Sequence, residues 1–237
     1  MIFQVTPDVF ARIPAACFGV VVARGLEQGG PDGPGGKAAR ARLEEAMALV
    51  RAEFAGGEVK IHPAILPYRE AFQLLGMNPN RFPSSIEAMI ARIAKGGALP
   101  SINPAVDLAN SVGLRYVLPL GVHDLDGCTG DLLVRLSRPG DIFTPFGETQ
   151  PEQVEPGEVV YADGAEVRTR RWIWRQGEYS KSTAKSRNLF CPIDGFRGAN
   201  ADRVLAARSE LAALFSQLFQ AEVREFFIDR DHPEAEW

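Results

Sequence analysis

The spacing of apolar residues changes near residue 117, and this change limits the possible folds more than any other feature of the sequence. Before it, apolar residues recur at three- and four-residue intervals, as in Leu43, Met47 and Val50, which is typical of amphipathic helices. After it, short apolar runs alternate with turn residues, which predicts strands. Helices followed by strands, rather than a regular alternation of the two, predict an α+β fold.

Helix boundaries are indicated by capping residues and by glycine and proline. Helices are predicted at Lys37 to Phe54, Pro67 to Leu75, from a Ser84 or Ser85 cap to Lys95, from an Asn103 cap through Pro104 to about Tyr116, and at Asp202 to Gln220. The glycine-rich segment Gly29 to Gly36 is predicted to be a mobile loop.

Strands are predicted wherever β-branched and other apolar residues form short runs between turns. These runs are Ile2 to Val5, Ala16 to Gly25, 117–122, 131–137, 158–170, 171–175, 189–193 and 223–228. Within 158–170, Asp163-Gly164 is a hairpin signal. The run from Ala16 to Gly25 has the composition of a strand buried on both faces.

Composition excludes several classes of protein. No apolar run reaches the roughly 20 residues that cross a membrane, and the N-terminus lacks the pattern of a signal peptide. The three cysteines show neither disulfide nor metal spacing, and three histidines are few for a metal site. We therefore expect a cytoplasmic protein without a membrane partner, a metal or a cofactor. A net charge of −4 argues against general binding of nucleic acid, although a local basic surface could still bind it.

One such surface is suggested by Arg168 to Arg187, which holds seven of the 26 basic residues, two of the three tryptophans and one acidic residue. If Thr169 to Arg175 is a strand, then Arg170, Trp172 and Trp174 share one face. That face would suit a nucleobase or an aromatic amino acid. The alternative is core tryptophans beside a solvated basic edge.

A second candidate site combines a polar helix face with a turn. Asn103, Asp107 and Asn110 follow one another at helical spacing, and His123 and Asp124 come after the helix. Together they could line a cleft. The alternative is a solvated helix face followed by a capped turn.

The same segment resembles the B3/B4 domain of the phenylalanyl-tRNA synthetase beta subunit, and more closely the free-standing B3/B4 proteins. The resemblance is carried in order by Asn103, Val106-Asp107, Asn110, Pro119-Leu120, Asp124 and Asp126, then by DLLVRLSRPGDIFTPFG, EVVYADG and TAKSRNLF. It covers about 84–196, and the free-standing proteins extend it to the N-terminal helices and RRWIWRQ. It therefore implies one domain over 1–237, with a strand and helices in 1–83 and a helix and strand in 200–229.

The resemblance implies a compact fold of packed β-sheets with flanking helices. In the synthetase this domain hydrolyses the ester of a wrongly charged amino acid, chiefly tyrosine, on tRNA. A free-standing relative would do so in trans, with tRNA or aminoacyl-tRNA as its partner. The synthetase histidine falls at Gly121, two positions before His123. The glutamate that recognises the tyrosine hydroxyl falls near Pro192, and Asp194 could replace it. Both differences imply another substrate.

Roles follow from the resemblance and from residue chemistry. His123 could orient or deprotonate a water, Asp124 could orient His123 or cap the turn, and Arg171 or Arg175 could hold developing negative charge. Substrate contacts are expected from Asn103, Asp107, Asn110, Trp172, Trp174 and Asp194, and RNA contacts from Arg168, Lys181, Lys185 and Arg187. Two alternatives remain open: a module that binds tRNA or an amino acid without chemistry, and a binder of an unrelated metabolite.

Overall fold

The computed structural model describes residues 1–237, and its helices and two β-sheets form an α+β fold, as predicted. The helices are α1 (Pro7–Arg12), α2 (Pro34–Glu53), α3 (Leu66–Leu74), α4 (Ser85–Ala94), α5 (Pro104–Tyr116) and α6 (Ala201–Phe219). The strands are β1 (Ile2–Val5), β2 (Ala16–Arg24), β3 (His123–Asp124), β4 (Leu132–Leu136), β5 (Ile142–Phe143), β6 (Glu152–Gln153), β7 (Val159–Asp163), β8 (Glu166–Arg170), β9 (Arg175–Gln176), β10 (Leu189–Phe196), β11 (Glu222–Ile228) and β12 (Glu234–Glu236). None of the helices is long and apolar enough to span a bilayer.

The larger sheet has eight strands and the smaller has four. The larger follows the order β12-β1-β4-β7-β8-β5-β6, with β9 paired to β8. The pairs β1–β4 and β5–β8 are parallel, and the other pairs are antiparallel. The smaller sheet, β11-β2-β10-β3, is antiparallel throughout.

The smaller sheet lies between the larger sheet and helices α5 and α6, as the burial of β2 shows. Every residue of β2 before Arg24 is buried. Phe18, Val20 and Val22 pack into the core shared with the larger sheet, whereas Val21 and Ala23 pack into the core shared with α5 and α6. Successive side chains of a strand point to opposite faces, so an unbroken apolar run fits a strand that is covered on both sides.

The predicted helix starts that rest on capping residues are confirmed. The Asn103 side chain accepts a hydrogen bond from the Val106 amide at 3.0 Å, and Pro104 is the first helical residue of α5. The Ser84 hydroxyl accepts from the Glu87 amide at 3.4 Å at the start of α4. Each cap satisfies a backbone donor that the first helical turn leaves without a partner.

Two predicted segments near glycine and proline are wrong. The loop predicted at Gly29 to Gly36 ends early, because α2 begins at Pro34, a residue whose fixed φ suits the first helical turn. Residues 117–122 do not form a strand, and only Leu120 bridges to Ile193. Val117 ends α5 in the left-handed conformation, with φ of 54°, and proline at position 119 has no amide hydrogen to donate to a sheet.

The strand predicted over Thr169 to Arg175 is also wrong. Arg171 and Trp172 have φ of 48° and 60°, so the chain turns there, and β9 returns antiparallel to β8. Residues 171–174 are therefore the turn of a hairpin, and the tryptophans do not alternate along a strand. The hairpin predicted at Asp163-Gly164 is confirmed, since β7 and β8 pair across it.

Candidate functional site

A cleft opens where the turn at residues 171–174 meets β7, β10 and the segment that leads into β3. Its volume is about 390 Å³, including its open mouth. The polar residues that line it include His123, Tyr161, Thr169, Arg175 and Asp194. Buried polar groups that converge on one concave surface are the usual sign of a ligand site.

Asp194 lies in the middle of the smaller sheet and is buried. Its Oδ1 accepts hydrogen bonds from the Tyr161 hydroxyl at 2.7 Å and from Trp172 Nε1 at 2.6 Å. Both bonds go to the same oxygen, and no arginine or lysine pairs with the carboxylate, so Oδ2 is free of protein donors. The structure thus holds an acidic group in the cleft without a compensating cation.

The ionisation of Asp194 is shifted into the physiological range. Burial raises its pKa from 3.8 to about 7, although the hydrogen bonds from Tyr161 and Trp172 favour the charged form. Near neutral pH this carboxylate is divided between its charged and protonated forms. A group with such a pKa can both take up and release a proton, as acid–base chemistry requires.

His123 is the second buried titratable group in the cleft. Its ring stacks on Tyr161, with 5.8 Å between the ring centroids, and Nδ1 has no hydrogen-bond partner. Burial, and to a lesser extent the charge of Arg168, lowers the pKa of His123 to about 3. The imidazole is therefore neutral at physiological pH.

Gly121 has no side chain, and the His123 ring occupies the space that a side chain at position 121 would need. A Cβ atom on Gly121 would lie 2.9 Å from His123 Nε2, closer than real Cβ contacts come. The two positions thus share one site in the cleft wall.

We expect Gly121→Ala to destabilise the protein by about 1–3 kcal/mol, because the added methyl must displace the His123 ring. Urea unfolding measures the loss. Gly127→Ala is the matched control, since no atom lies within 4 Å of a Cβ there. Adding His123→Ala should recover part of the stability lost in Gly121→Ala. If Gly121→Ala and Gly127→Ala unfold alike, the imidazole does not fill this space.

Asp124 caps a turn rather than orienting His123, which is the second of the two roles considered for it. Its carboxylate accepts from the Asp126 amide at 2.7 Å and from the Ser186 hydroxyl. Its backbone oxygen accepts from Arg168. The carboxylate is thus occupied by the chain that flanks β3 and is not hydrogen-bonded to the imidazole.

The polar residues of α5 do not line the cleft. Asn103 caps the helix and also donates from Nδ2 to the Ser182 carbonyl at 3.1 Å. Asp107 accepts from the Ile102 amide at 2.9 Å, and Asn110 is half-buried farther along the helix. The Asn103 and Asp107 side chains are therefore used to fix the start of α5.

The two tryptophans of the basic stretch have different environments. Trp172 is fully buried, and its ring packs among the aromatic residues between the sheets. Trp174 is half-buried and lies with its ring edge-on to Phe82, at 5.0 Å between centroids. Both contribute to the cleft wall, but Trp172 does so from the core.

The two arginines expected to hold negative charge are also separated. Arg175 is exposed, lines the cleft and forms no ion pair. Arg171 lies outside the cleft, where its guanidinium stacks on Phe82 and approaches Glu158 at 3.6 Å. Of the two, only Arg175 can reach a ligand in the cleft.

The residues predicted to contact RNA are mostly neutralised by acidic partners. Arg168 is buried and pairs with Asp163 at 3.4 Å, so its prediction as an RNA contact is wrong. Lys181 pairs with Glu178, and Arg187 lies 3.9 Å from Glu27; Lys185 alone is exposed without an ion pair. Most of the charge that made this stretch conspicuous is therefore balanced within the fold.

Sequence reasoning did not single out two polar residues of the cleft, Tyr161 and Thr169. Tyr161 holds Asp194 and stacks on His123, and it lies in the EVVYADG run that carried part of the resemblance. The Thr169 hydroxyl is buried without a hydrogen-bond partner, which a water or a ligand in the cleft would satisfy. No group of three or more histidine, cysteine, aspartate or glutamate residues is placed to hold a metal ion.

The fold and cleft define an α+β protein with a buried carboxylate in its site, and comparison with known proteins identifies its family. The chain belongs to the B3/4 domain family, whose model matches residues 67–229. It is 27% identical to the phenylalanine–tRNA ligase beta subunit of Corynebacterium jeikeium over 108 residues, which is 46% of this chain and 12% of that protein. It is 30% identical to the same subunit of Idiomarina loihiensis over 102 residues, 43% of this chain and again 12% of the relative.

Among solved structures, an N-terminal fragment of the phenylalanyl-tRNA synthetase beta subunit from Pyrococcus horikoshii is similar with a TM-score of 0.42 and 11% identity. The match covers 52% of this chain and 44% of that fragment.

Proposed function

We propose that this protein hydrolyses the ester that joins an amino acid to tRNA, acting in trans on aminoacyl-tRNA. One observation carries the proposal: Asp194, with a pKa of about 7 and one oxygen free of protein donors, lies in a cleft of this family's fold. The relationship to synthetase beta subunits supports a role connected with tRNA. The chain corresponds to a small part of those subunits, so the reaction is argued from its own cleft.

Hydrolysis of an ester requires one activated water. The Asp194 carboxylate takes a proton from that water while the water oxygen bonds to the ester carbonyl carbon. The bond from carbon to the ribose oxygen then breaks, and the ribose oxygen takes the proton from Asp194. The amino acid leaves as its carboxylate, with its proton released to solvent, and the tRNA leaves with a free hydroxyl.

Three further groups assist this chemistry. Arg175, unpaired at the cleft, is positioned to meet the negative charge that develops on the carbonyl oxygen. The Thr169 hydroxyl, which lacks a partner, can bind the water or the ester. His123 is neutral and can orient the water without competing for its proton.

The cleft sets a limit on the substrate. Without its open mouth the cleft has an interior volume of about 70 Å³, well below that of an ordinary ligand pocket, so it suits a small side chain rather than a larger group. The side chains of Trp174 and Arg175 take up part of the space at the wall of the cleft. Tyrosine is therefore not assigned as the substrate.

A second candidate function is binding without chemistry. It is favoured by His123, which has no orienting carboxylate and cannot become charged near neutral pH. In that case the cleft would hold an amino acid or the end of a tRNA, with saturation and no turnover.

Deacylation separates the two functions. The protein is incubated with tRNAs that carry labelled cognate and non-cognate amino acids, and ester loss is followed over time. We expect Asp194→Asn to slow the hydrolysis of the preferred ester by about 100-fold or more, because the amide cannot take the proton. Asp32→Asn, at an exposed position, is the matched control.

The pH dependence gives a second reading from the same assay. The wild-type rate should rise as the pH passes through about 7, when Asp194 becomes charged, and the residual rate of Asp194→Asn should lack this rise. If no ester is lost faster than in buffer, the protein is not a deacylase for that panel, and saturable binding of the same tRNAs then favours the second candidate.

A further inference from the structure

Three arginines and two aromatic rings form a continuous row beside the cleft, which we call the arginine row. The guanidinium of Arg81 lies 5.1 Å from the centre of the Phe82 ring, and that of Arg171 lies 4.1 Å from the same ring. Arg171 also lies 4.8 Å from the ring of Trp174, which Arg175 approaches at 6.0 Å. The row ends at the cleft, since Trp174 and Arg175 line it.

The arginine row carries more positive charge than its neighbours balance. Glu158 is the only carboxylate within ion-pair distance, and it approaches Arg171 at 3.6 Å while also pairing with Arg170. Arg81 and Arg175 are exposed and form no ion pair. Burial lowers the pKa of Arg171; the charge of Glu158 opposes this, and the charges of Arg170 and Arg81 lower it further, an effect that an anion held against the row would counteract.

We propose that the arginine row binds the phosphodiester backbone of a single-stranded RNA whose 3′ end enters the cleft. The faces of the guanidinium groups stack on aromatic rings, which hold them in place, while the N–H edges of the same guanidinium groups remain available for phosphate oxygens. A row of cations suits a polyanion rather than a single small anion. The inference rests on the proposed function, because it supplies the contact that would lead an aminoacyl-tRNA end to Asp194.

Among the other basic residues of the stretch, only Lys185 is exposed without an ion pair. Arg168 is buried, and both Arg170 and Lys181 are paired with glutamates. Arg81 lies far from that stretch in sequence, between a helix and the Ser84 cap. The fold therefore adds a cation to the surface that the charge pattern of the sequence does not show.

The test measures binding of a short, fluorescein-labelled single-stranded RNA ending in CCA, by anisotropy at several salt concentrations. Arg81→Gln and Arg175→Gln are made singly and together, with Arg40→Gln, at an exposed position of α2, as the control. Each lost phosphate contact should reduce the slope of log K against log salt concentration by about 0.7, so the double variant should lose about 1.4. Unchanged thermal unfolding shows that the variants fold.

A slope and affinity equal to those of wild type in the folded double variant would overturn the proposal. So would equal binding of adenosine monophosphate and of the RNA, because the site would then take a free nucleotide rather than a strand. The proposed function is tested apart from this. Weakened RNA binding in a protein that hydrolyses no ester leaves the arginine row intact, whereas hydrolysis with RNA binding unaffected by Arg81 and Arg175 rejects the row alone.

Discussion

Replacing Asp194 with asparagine is expected to raise the free energy of unfolding above pH 7 and to leave it unchanged near pH 4. Asparagine can still accept hydrogen bonds from Tyr161 and Trp172 through Oδ1, so the change removes mainly a buried charge. Burial raises the pKa of Asp194 from 3.8 to about 7 in the folded protein, so folding takes up a proton between these values. The contribution of Asp194 to wild-type stability therefore falls as the pH rises through this window, by about 4 kcal/mol in full, and Asp194→Asn avoids the loss.

The shifted pKa of His123 makes the folding stability depend on pH in the opposite direction. Its pKa falls from 6.5 to about 3 on folding, so the unfolded chain binds a proton that the folded protein does not. This contribution is complete above pH 6.5 and is lost as the pH falls toward 3. Between about pH 4 and 6.5 the slopes from Asp194 and His123 oppose each other, each at about 1.4 kcal/mol per pH unit. Wild-type stability should change little there on account of these two groups.

Each single variant should therefore reveal the slope of the remaining group. We expect stability to rise with pH in Asp194→Asn and to fall with pH in His123→Gln. Urea unfolding between about pH 4 and pH 8 measures this, with Asp32→Asn as the surface control. Profiles for both variants that run parallel to wild type would mean that neither group has a shifted pKa, and the acid–base role of Asp194 would lose its basis.

Five of the six helices could be predicted from the sequence because their signals are local, whereas the short helix α1 was not predicted. The Asn103 cap, Pro104 and the apolar repeat of α5 lie within one stretch of chain. The apolar composition of β2 is enough by itself to predict that this strand is buried. Glycines and prolines were less informative. Pro34 starts a helix within a segment that reads as loop, and residues 117–122 have apolar side chains but little access to a sheet ladder.

The site was only partly predictable because its partners are distant in sequence. Arg170 is neutralised by Glu152 and Glu158, which precede it by 18 and 12 residues, and no local pattern shows that they face it. Asp194 was reached through the resemblance, but its donor Trp172 lies 22 residues away across a turn that reads as a strand. The same residue types in a straight strand would have formed an exposed stacking face.

Trp172 and Trp174 should respond differently to replacement by phenylalanine, because only one belongs to the core. Trp172→Phe should lower the free energy of unfolding by about 2–4 kcal/mol at pH 8. It removes buried ring volume, and it removes the hydrogen bond from Nε1 to the Asp194 carboxylate, where a bond to a charged group is worth about 1.5–3 kcal/mol. Trp174→Phe should cost less than about 1 kcal/mol, since Trp174 is half-buried and makes no hydrogen bond through Nε1.

Two comparisons make this result informative. With Asp194→Asn as the background, Trp172→Phe should cost less at pH 8, because its hydrogen bond then goes to a neutral amide. Urea unfolding of the two singles and the double variant measures that difference, and Trp174→Phe serves as the matched exchange at the cleft surface. Similar small losses for Trp172 and Trp174 would instead support the shared stacking face that the sequence suggests. A large loss at Trp172 that depends on Asp194 places this tryptophan as the support of the acidic group rather than as a surface for the ligand.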